Sequence, residues 1–413
     1  MPRLILLLYR ALIFVAVWPL CLAARNHPNF KGTLRQRLAW TLSPVPRGDL
    51  VWFHGASLGE VKALAGPIAA VRTRRPRVVI CLSAMTAAGR QAAAGLDGVD
   101  LILPMPFDAG WIMRRMLRHL APRALVIAET EIWPNMLVAA RAAGIPVALV
   151  NARLTPRSFA RYRLVKRFVA RLLENVRILA TAEDNAGRFR ALGATDVRVT
   201  GNVKFDAMPG LHPERVQALR ESLGAGARPV FVAGSIREGE ERAVMEAVAA
   251  ARREVPDLFC IVAPRHHDRI PCVADEARRH GIAWAPRSAP DGKADLLILD
   301  TMGELFDLYG VARAAFVGGS LVDLGGQNIL EPIAWGVPTL HGPHMGNFLW
   351  ALAVMRDYTR EVADAAGLAE ALVDIIRHPE AHAERARAAR AALDGAKGAT
   401  ARVADELLKM IPA

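Results

Sequence analysis

The sequence predicts an α/β protein made of two facing, doubly wound parallel-sheet domains preceded by one apolar N-terminal helix. Three observations carry this. Short unbroken apolar runs recur along the chain, separated by stretches with apolar residues at helical spacing, the pattern of a parallel sheet covered on both faces. The rhythm breaks at the Pro/Gly-rich stretch 206–213 and then restarts. The chain has 413 residues, 53% of them hydrophobic. That is enough for two cores, and it excludes a disordered chain or a disulfide-stapled miniature fold.

The first element is the apolar run 4–24, interrupted only by Arg10. A bilayer span needs about 20 residues. Arg10 lies near enough to one end for its stem to snorkel toward the headgroups. Arg25, Lys31, Arg35 and Arg37 follow the run and only Arg3 precedes it, so the heavier positive flank places the rest of the chain on the cytoplasmic side. Two other readings stay open: a helix lying in the interface plane, and a cleaved signal peptide ending near Cys21-Leu22-Ala23-Ala24.

Predicted strands of the first set are 50–54, 77–82, 101–104, 124–128, 146–150, 178–182 and 197–201, with helices such as 61–72 and 160–173 between them. The second set is 229–234, 258–264, 295–300, 315–318 and 338–341. The tail 381–408 is rich in Ala, Arg and Glu and reads as helix.

The charge is uneven. Lys plus Arg exceed Asp plus Glu by 13 overall, yet residues 1–200 carry a net +18 and residues 201–413 a net −5. The first half therefore expects an anionic partner: nucleic acid, anionic lipid or a phosphorylated substrate. Cys21, Cys81, Cys260 and Cys272 form no CxxC and no zinc ladder. They read as small buried hydrophobes of a reducing compartment.

Motifs at strand ends carry the most weight, because open α/β sheets bind ligands there. In the segment 52–60 a strand runs into a loop and a helix whose first turn holds Glu60. The helix dipole there favours a carboxylate over an acid, which suits a general base, although a capping glutamate would look the same. Glu129 and Glu131 follow the 124–128 strand and share one face if the strand pattern continues, with Pro134 opening the next helix. Lys204, after the last strand of the first set, is placed to neutralise an anion.

In the second half, Gly234, Ser235 and Arg237 resemble a phosphate nest. Pro264, Arg265 and the two histidines after them follow the next strand, without zinc spacing. The densest stretch, 316–332, has glycine pairs at 318–319 and 325–326, then Gln327 and Asn328. Asn328 can cap a helix whose N–H groups face a phosphate, and Glu331 one turn in can accept two ribose hydroxyls. No P-loop, no GxGxxG after a strand and no DxD occurs.

Taken in order, HGASLGE (54–60), ETEIWPN (129–135), NARL (151–154), GNVKFD (201–206), GSIREGEE (234–241), PRH (264–266), DTMGEL (300–305) and GGSLVDLGGQNILEP (318–332) resemble the 3-deoxy-D-manno-octulosonic acid (Kdo) transferase family over nearly the whole chain. The resemblance implies a glycosyltransferase B fold of two Rossmann-like domains and metal-independent transfer of Kdo from CMP-Kdo to a lipid A precursor at the cytoplasmic face of the bacterial inner membrane. It implies residues 1–25 as anchor, 26–205 as acceptor domain and 206–413 as donor domain with the C-terminal helices. Glu60 matches the family's general base, and Glu131 and Lys204 match positions assigned to transition-state stabilisation. Pro264, Arg265, Met302, Gly303, Glu304, Asn328, Ile329, Leu330 and Glu331 match its CMP contacts. Ser235, Arg237 and Gln327 remain candidate phosphate contacts, and no cofactor beyond the donor substrate is implied. Gln327 and Ile329 depart from the usual His and Pro, and Met345-Gly346 from the usual Thr-Phe. The rivals are a nucleotide-sugar epimerase of the same fold and a membrane-tethered nucleotide sensor. Nucleic-acid binding is disfavoured because aromatics are only 6% and no stacking platform is visible.

Overall fold

A computed structural model describes residues 2–411 and resolves two compact units. The first runs to Ala207 and takes back the segment from Ala396; the second is Met208–Gly395.

The first unit holds β1 (Leu50–Gly55), β2 (Val79–Ala84), β3 (Leu101–Pro104), β4 (Ala124–Ala128), β5 (Val147–Ala152), β6 (Val176–Ala180) and β7 (Asp196–Val199). They form one parallel sheet in the order β3-β2-β1-β4-β5-β6-β7. Every residue of β1, β2, β4 and β5 is buried, which is why those runs show no alternation. The order reverses between β1 and β4, so the loops leaving those two strands diverge and open a crevice at their carboxyl ends.

The second unit holds β8 (Val230–Ile236), β9 (Phe259–Pro264), β10 (Trp284–Pro286), β11 (Leu296–Ile298), β12 (Ala314–Val317), β13 (Thr339–His341) and β14 (Arg360–Glu361). The sheet is again parallel, ordered β10-β11-β9-β8-β12-β13-β14, and reverses between β8 and β12. Strands β10 and β14 escape a reading of apolar runs because they are edge strands of three and two residues.

Strand ends shift by up to two residues from the sequence expectation, and three larger differences stand out. The 160–173 stretch is two helices, Pro156–Leu164 and Lys166–Leu173, which meet at Val165 outside helical geometry. The C-terminal tail is likewise two helices, Pro379–Ala396 and Ala399–Leu408, divided where Gly398 turns left-handed at φ 86°. The last helix belongs to the first unit, not with the rest of 206–413. It buries Ala399, Val403, Ala404 and Leu407 in one cluster with Val61, Leu64, Ile68 and Val71 of the Leu58–Arg74 helix. Asp206 accepts the backbone N–H groups of Gly398 at 2.6 Å and Thr400 at 2.5 Å, capping its start.

The N-terminal helix, Pro2–Ala24, has two unlike faces. Ile13, Val17 and Cys21, four residues apart, pack on the core of the first unit. Leu4, Leu7, Leu8, Leu12, Phe14, Val15 and Leu22 are 58–68% exposed. Among the described residues it is the one helix long and apolar enough to cross a membrane.

Candidate active site

The loops after the adjacent strands β1 and β4 flank the crevice at the reversal of the first sheet. Ser57 caps the Leu58–Arg74 helix: its Oγ accepts the Glu60 N–H at 3.4 Å. Glu60 Oε2 reaches back to the N–H groups of Ser57, at 3.2 Å, and Ala56. This is a reciprocal capping box. The capping role of Glu60 is therefore real, and it uses Oε2 alone; Oε1 takes neither of those bonds. Burial raises the Glu60 pKa above its ordinary value, assisted by the charge of Glu129 and opposed by the backbone hydrogen bonds. The net direction is the reverse of what the helix dipole alone suggests.

Strand β4 ends at Ala128 and Glu129 turns left-handed at φ 54°, so the strand pattern does not carry on through the loop. The Glu129 carboxylate instead pairs with Lys204 Nζ at 2.8 Å and Arg153 at 3.3 Å. Lys204 is set on a short 3-10 turn, Val203–Phe205. Asn202 Oδ1 accepts the Lys204 N–H and Asn151 Oδ1 accepts the Val203 N–H, both at 3.1 Å. Glu131 lies half-buried in the same loop. Burial and the charges of Glu60 and Glu129 push its pKa up to about 7. The three carboxylates and one ammonium thus form one electrostatic unit. His54 in β1 is fully buried: its Nδ1 lies 2.9 Å from Ser83 Oγ and its ring stands edge-on to Trp133. Burial lowers the His54 pKa to about 4, so the imidazole is neutral.

In the second unit the motifs follow the carboxyl ends of β8, β9, β11 and β12, hence one edge of the sheet. The nest expected around Ser235 and Arg237 exists, but it is filled from within. Glu240, fully buried, accepts the N–H groups of Arg237 (2.8 Å), Gly319 (2.5 Å), Ser320 (2.8 Å) and Leu321 (2.8 Å). Those backbone donors are committed to an internal carboxylate; the Ser235 hydroxyl and the Arg237 guanidinium take no part in these bonds. The loops touch backbone to backbone: a Cβ on Gly318 would lie 2.4 Å from Ile236 Cα, which no side chain tolerates.

Asn328 Oδ1 accepts the Leu330 N–H at 3.2 Å, and its Nδ2 donates to Glu331 Oε1 at 3.2 Å. The helix that follows, Leu330–Ala334, has five residues and Ile329 at its N-cap position. Ile329 and Leu330 are fully buried, and the Leu330 N–H is already taken by Asn328. Glu331 is half-buried; burial raises its pKa while the Asn328 hydrogen bond and the Arg265 charge oppose the shift. Arg265, exposed after β9, and Glu331 are therefore neighbours, and buried Tyr309 senses the same carboxylate. Met302, 82% exposed, lines a cavity of ≈ 450 Å³ with Gly303, Glu304, Arg215 and Asp307. Glu304 accepts from Arg287 Nε at 3.0 Å. Gln327 lies half-buried against Gly319. The glycine loop before it is braced by the 345–347 segment, with the Asn347 N–H donating to Gly325 O at 2.9 Å. Among the described residues no three His, Cys, Asp or Glu side chains are grouped to hold a metal ion.

A family model described as 3-deoxy-D-manno-octulosonic-acid transferase (kdotransferase) matches residues 32–207. A 3-deoxy-D-manno-octulosonic acid transferase of Bordetella pertussis is 33% identical over 412 residues, covering 96% of this chain and 95% of its own. The chain belongs to the Kdo transferase family. A Haemophilus influenzae transferase of that name is 29% identical over 371 residues, 87% of this chain and 86% of its own. Solved structures confirm the fold. A glycosyltransferase from Rickettsia africae has a TM-score of 0.58 at 12% identity, covering 88% of this chain and 98% of its own. UDP-GlcNAc 2-epimerase from Neisseria meningitidis has 0.56 at 14%, covering 88% and 99%. This Kdo transferase family member is thus an enzyme on the two-sheet glycosyltransferase B architecture.

For a Kdo transferase, an acid with a pKa near 7 at the crevice has a measurable consequence. Glu131 has an ordinary pKa of 4.5 when unfolded, so the folded state holds its proton more tightly between about 4.5 and 7. Stability from that proton is present below pH ~4.5 and is lost as pH rises through ~7. Glu131→Gln, which never ionises, should gain about 1–2 kcal/mol over the parent at pH 8, allowing for partial solvent screening, and nothing at pH 4. Thermal unfolding at the two pH values checks this; equal melting temperatures at pH 8 contradict it.

Proposed function

We propose that this enzyme transfers Kdo from CMP-Kdo to lipid IV-A, the tetraacylated, bisphosphorylated lipid A precursor, with inversion, without a metal ion, and with Glu60 as general base. The observation that carries this is the cluster of Glu60, Glu129, Glu131 and Lys204 at the reversal of the first sheet. Glu60 Oε1, the oxygen not spent on the capping box, takes the proton from the acceptor hydroxyl. That hydroxyl oxygen forms its bond to the anomeric carbon of Kdo as the bond to CMP breaks, and CMP leaves with the electron pair. A raised pKa brings Glu60 nearer the working pH, where a base is most effective. Lys204 supplies positive charge and Glu131 a proton-bearing carboxyl near neutral pH, both fixed before the reaction starts, the condition under which electrostatics accelerates most.

On the donor side Arg265, Asn328 and Glu331 form the group best suited to CMP, with Glu331 accepting from the ribose. Pro264, buried at the end of β9, immediately precedes Arg265. Met302, Gly303 and Glu304 offer a second contact surface. The net +18 of residues 1–200 suits a phosphorylated lipid and an anionic membrane surface. The packed face of the N-terminal helix supports an anchor lying in the interface over one crossing it, and the heavier positive flank after the helix suits the cytoplasmic face.

The test is release of CMP by purified protein. It should need both CMP-Kdo and the lipid acceptor, and it should survive dialysis against a strong chelator. Loss of activity that Mg²⁺ restores would overturn the metal-free mechanism, and release without acceptor would overturn transfer.

A further inference from the structure

The N-terminal helix is joined to the first unit by more than apolar packing. Tyr9 Oη donates to Asp108 Oδ2 at 2.8 Å, and Arg10 Nε donates to Asn135 Oδ1 at 2.9 Å. Both partners are buried, Asp108 at 5% exposure and Asn135 at 1%. Asp108 in turn accepts the backbone N–H groups of Asn135 at 3.0 Å and Met136 at 2.8 Å, and its carbonyl accepts Asn135 Nδ2 at 2.6 Å.

Those N–H groups are first-turn donors of the helix Pro134–Ala142, whose N-cap position is Trp133 and carries no capping side chain. Asp108, 27 residues upstream, supplies the missing cap. The loop bearing Glu129 and Glu131 lies between the end of β4 and that helix. Its near end is held by the Glu129 ion pairs, and its far end by Asp108. A flexible tether would keep the enzyme at a membrane without any of these contacts. Polar bonds from within an otherwise apolar helix to a buried carboxylate need a different reason.

We propose that Tyr9, Arg10, Asp108 and Asn135 form a clasp through which the N-terminal helix positions the loop carrying Glu131, making that helix part of the catalytic scaffold as well as an anchor. The four residues touch no reacting atom; they are positioning residues. The proposal rests on the reading of Glu131 as a group that acts in transfer.

The test uses the full chain in detergent. Tyr9→Phe removes one hydrogen bond and leaves the apolar face intact; Asp108→Asn disrupts the cap itself. Misplacement of a catalytic group by a fraction of an ångström to 1 Å costs up to roughly 100-fold, so kcat should fall about 10-fold or more with the KM for CMP-Kdo unchanged. Vesicle binding should be unaffected. Because the clasp acts through Glu131, Tyr9→Phe should cost little further in a Glu131→Gln background. Hydrogen exchange should also quicken in the 129–136 segment in both variants. Equal losses in both backgrounds would overturn the proposal. So would unchanged kcat and exchange, or vesicle release with kcat in detergent intact. If Glu131→Gln alone keeps the parent kcat, the role given to Glu131 fails, while the exchange measurement still decides the clasp.

Discussion

Glu60→Gln should fold, bind CMP as the parent does, and turn over at least ~100-fold more slowly, the lower range for a positioned base. Folding is retained because glutamine also completes a capping box, accepting the Ala56 and Ser57 N–H groups through its amide oxygen. CMP affinity is retained because the nucleotide motifs lie in the second unit, on different strands. What disappears is the carboxylate oxygen proposed to receive the acceptor proton. The parent's rate should also fall with acid through a pKa above the ordinary glutamate value, since burial and Glu129 both favour the protonated form. Initial rates, a calorimetric CMP titration and a melting curve on one preparation separate the three effects. Near-normal turnover would remove Glu60 as the base.

Glu331→Ala should weaken CMP. The carboxylate is half-buried, held by Asn328 Nδ2 at 3.2 Å and facing the Arg265 charge. Hydrogen bonds from ribose hydroxyls to a charged acceptor contribute about 1.5–3 kcal/mol each. Losing one or two therefore raises the CMP dissociation constant by roughly one to two powers of ten or more. Glu331→Gln, which still accepts through one oxygen, should lose less. Affinity for the lipid acceptor should barely change in either variant. Calorimetric titration of CMP into the three proteins decides it; equal affinities, or a defect confined to the acceptor, would take Glu331 out of the donor site.

The fold was legible because a parallel sheet buries both faces of its strands. β1, β4 and β5 stand out as unbroken apolar runs, and the restart after residue 206 marks a second sheet. The edge strands β10 and β14 were illegible, being too short to form a run. Glu60, Glu129 and Glu131 were legible because strand ends are where such sheets bind ligands, and their neighbours in sequence already announced a helix start and a loop. Glu240 was not: it reads as one acid in a string of them, and three of the four N–H groups it satisfies come 79–81 residues later. The pairing of Lys204 with Glu129 across 75 residues was hidden for the same reason. Apolar content marked the N-terminal run as an anchor but could not say that one face already has a partner. The contacts of Tyr9 and Arg10 lie 99 and 125 residues away.

If a sugar moves from a nucleotide onto a lipid, the most direct measurement is the mass of the lipid afterwards. Purified full-length protein is incubated with CMP-Kdo and the tetraacylated, bisphosphorylated lipid A precursor, and the lipid fraction is analysed by mass spectrometry. The lipid should become heavier by whole Kdo units, with matching release of CMP, and Glu60→Gln should give no heavier lipid over the same period. Lipid of unchanged mass beside consumed CMP-Kdo would contradict transfer.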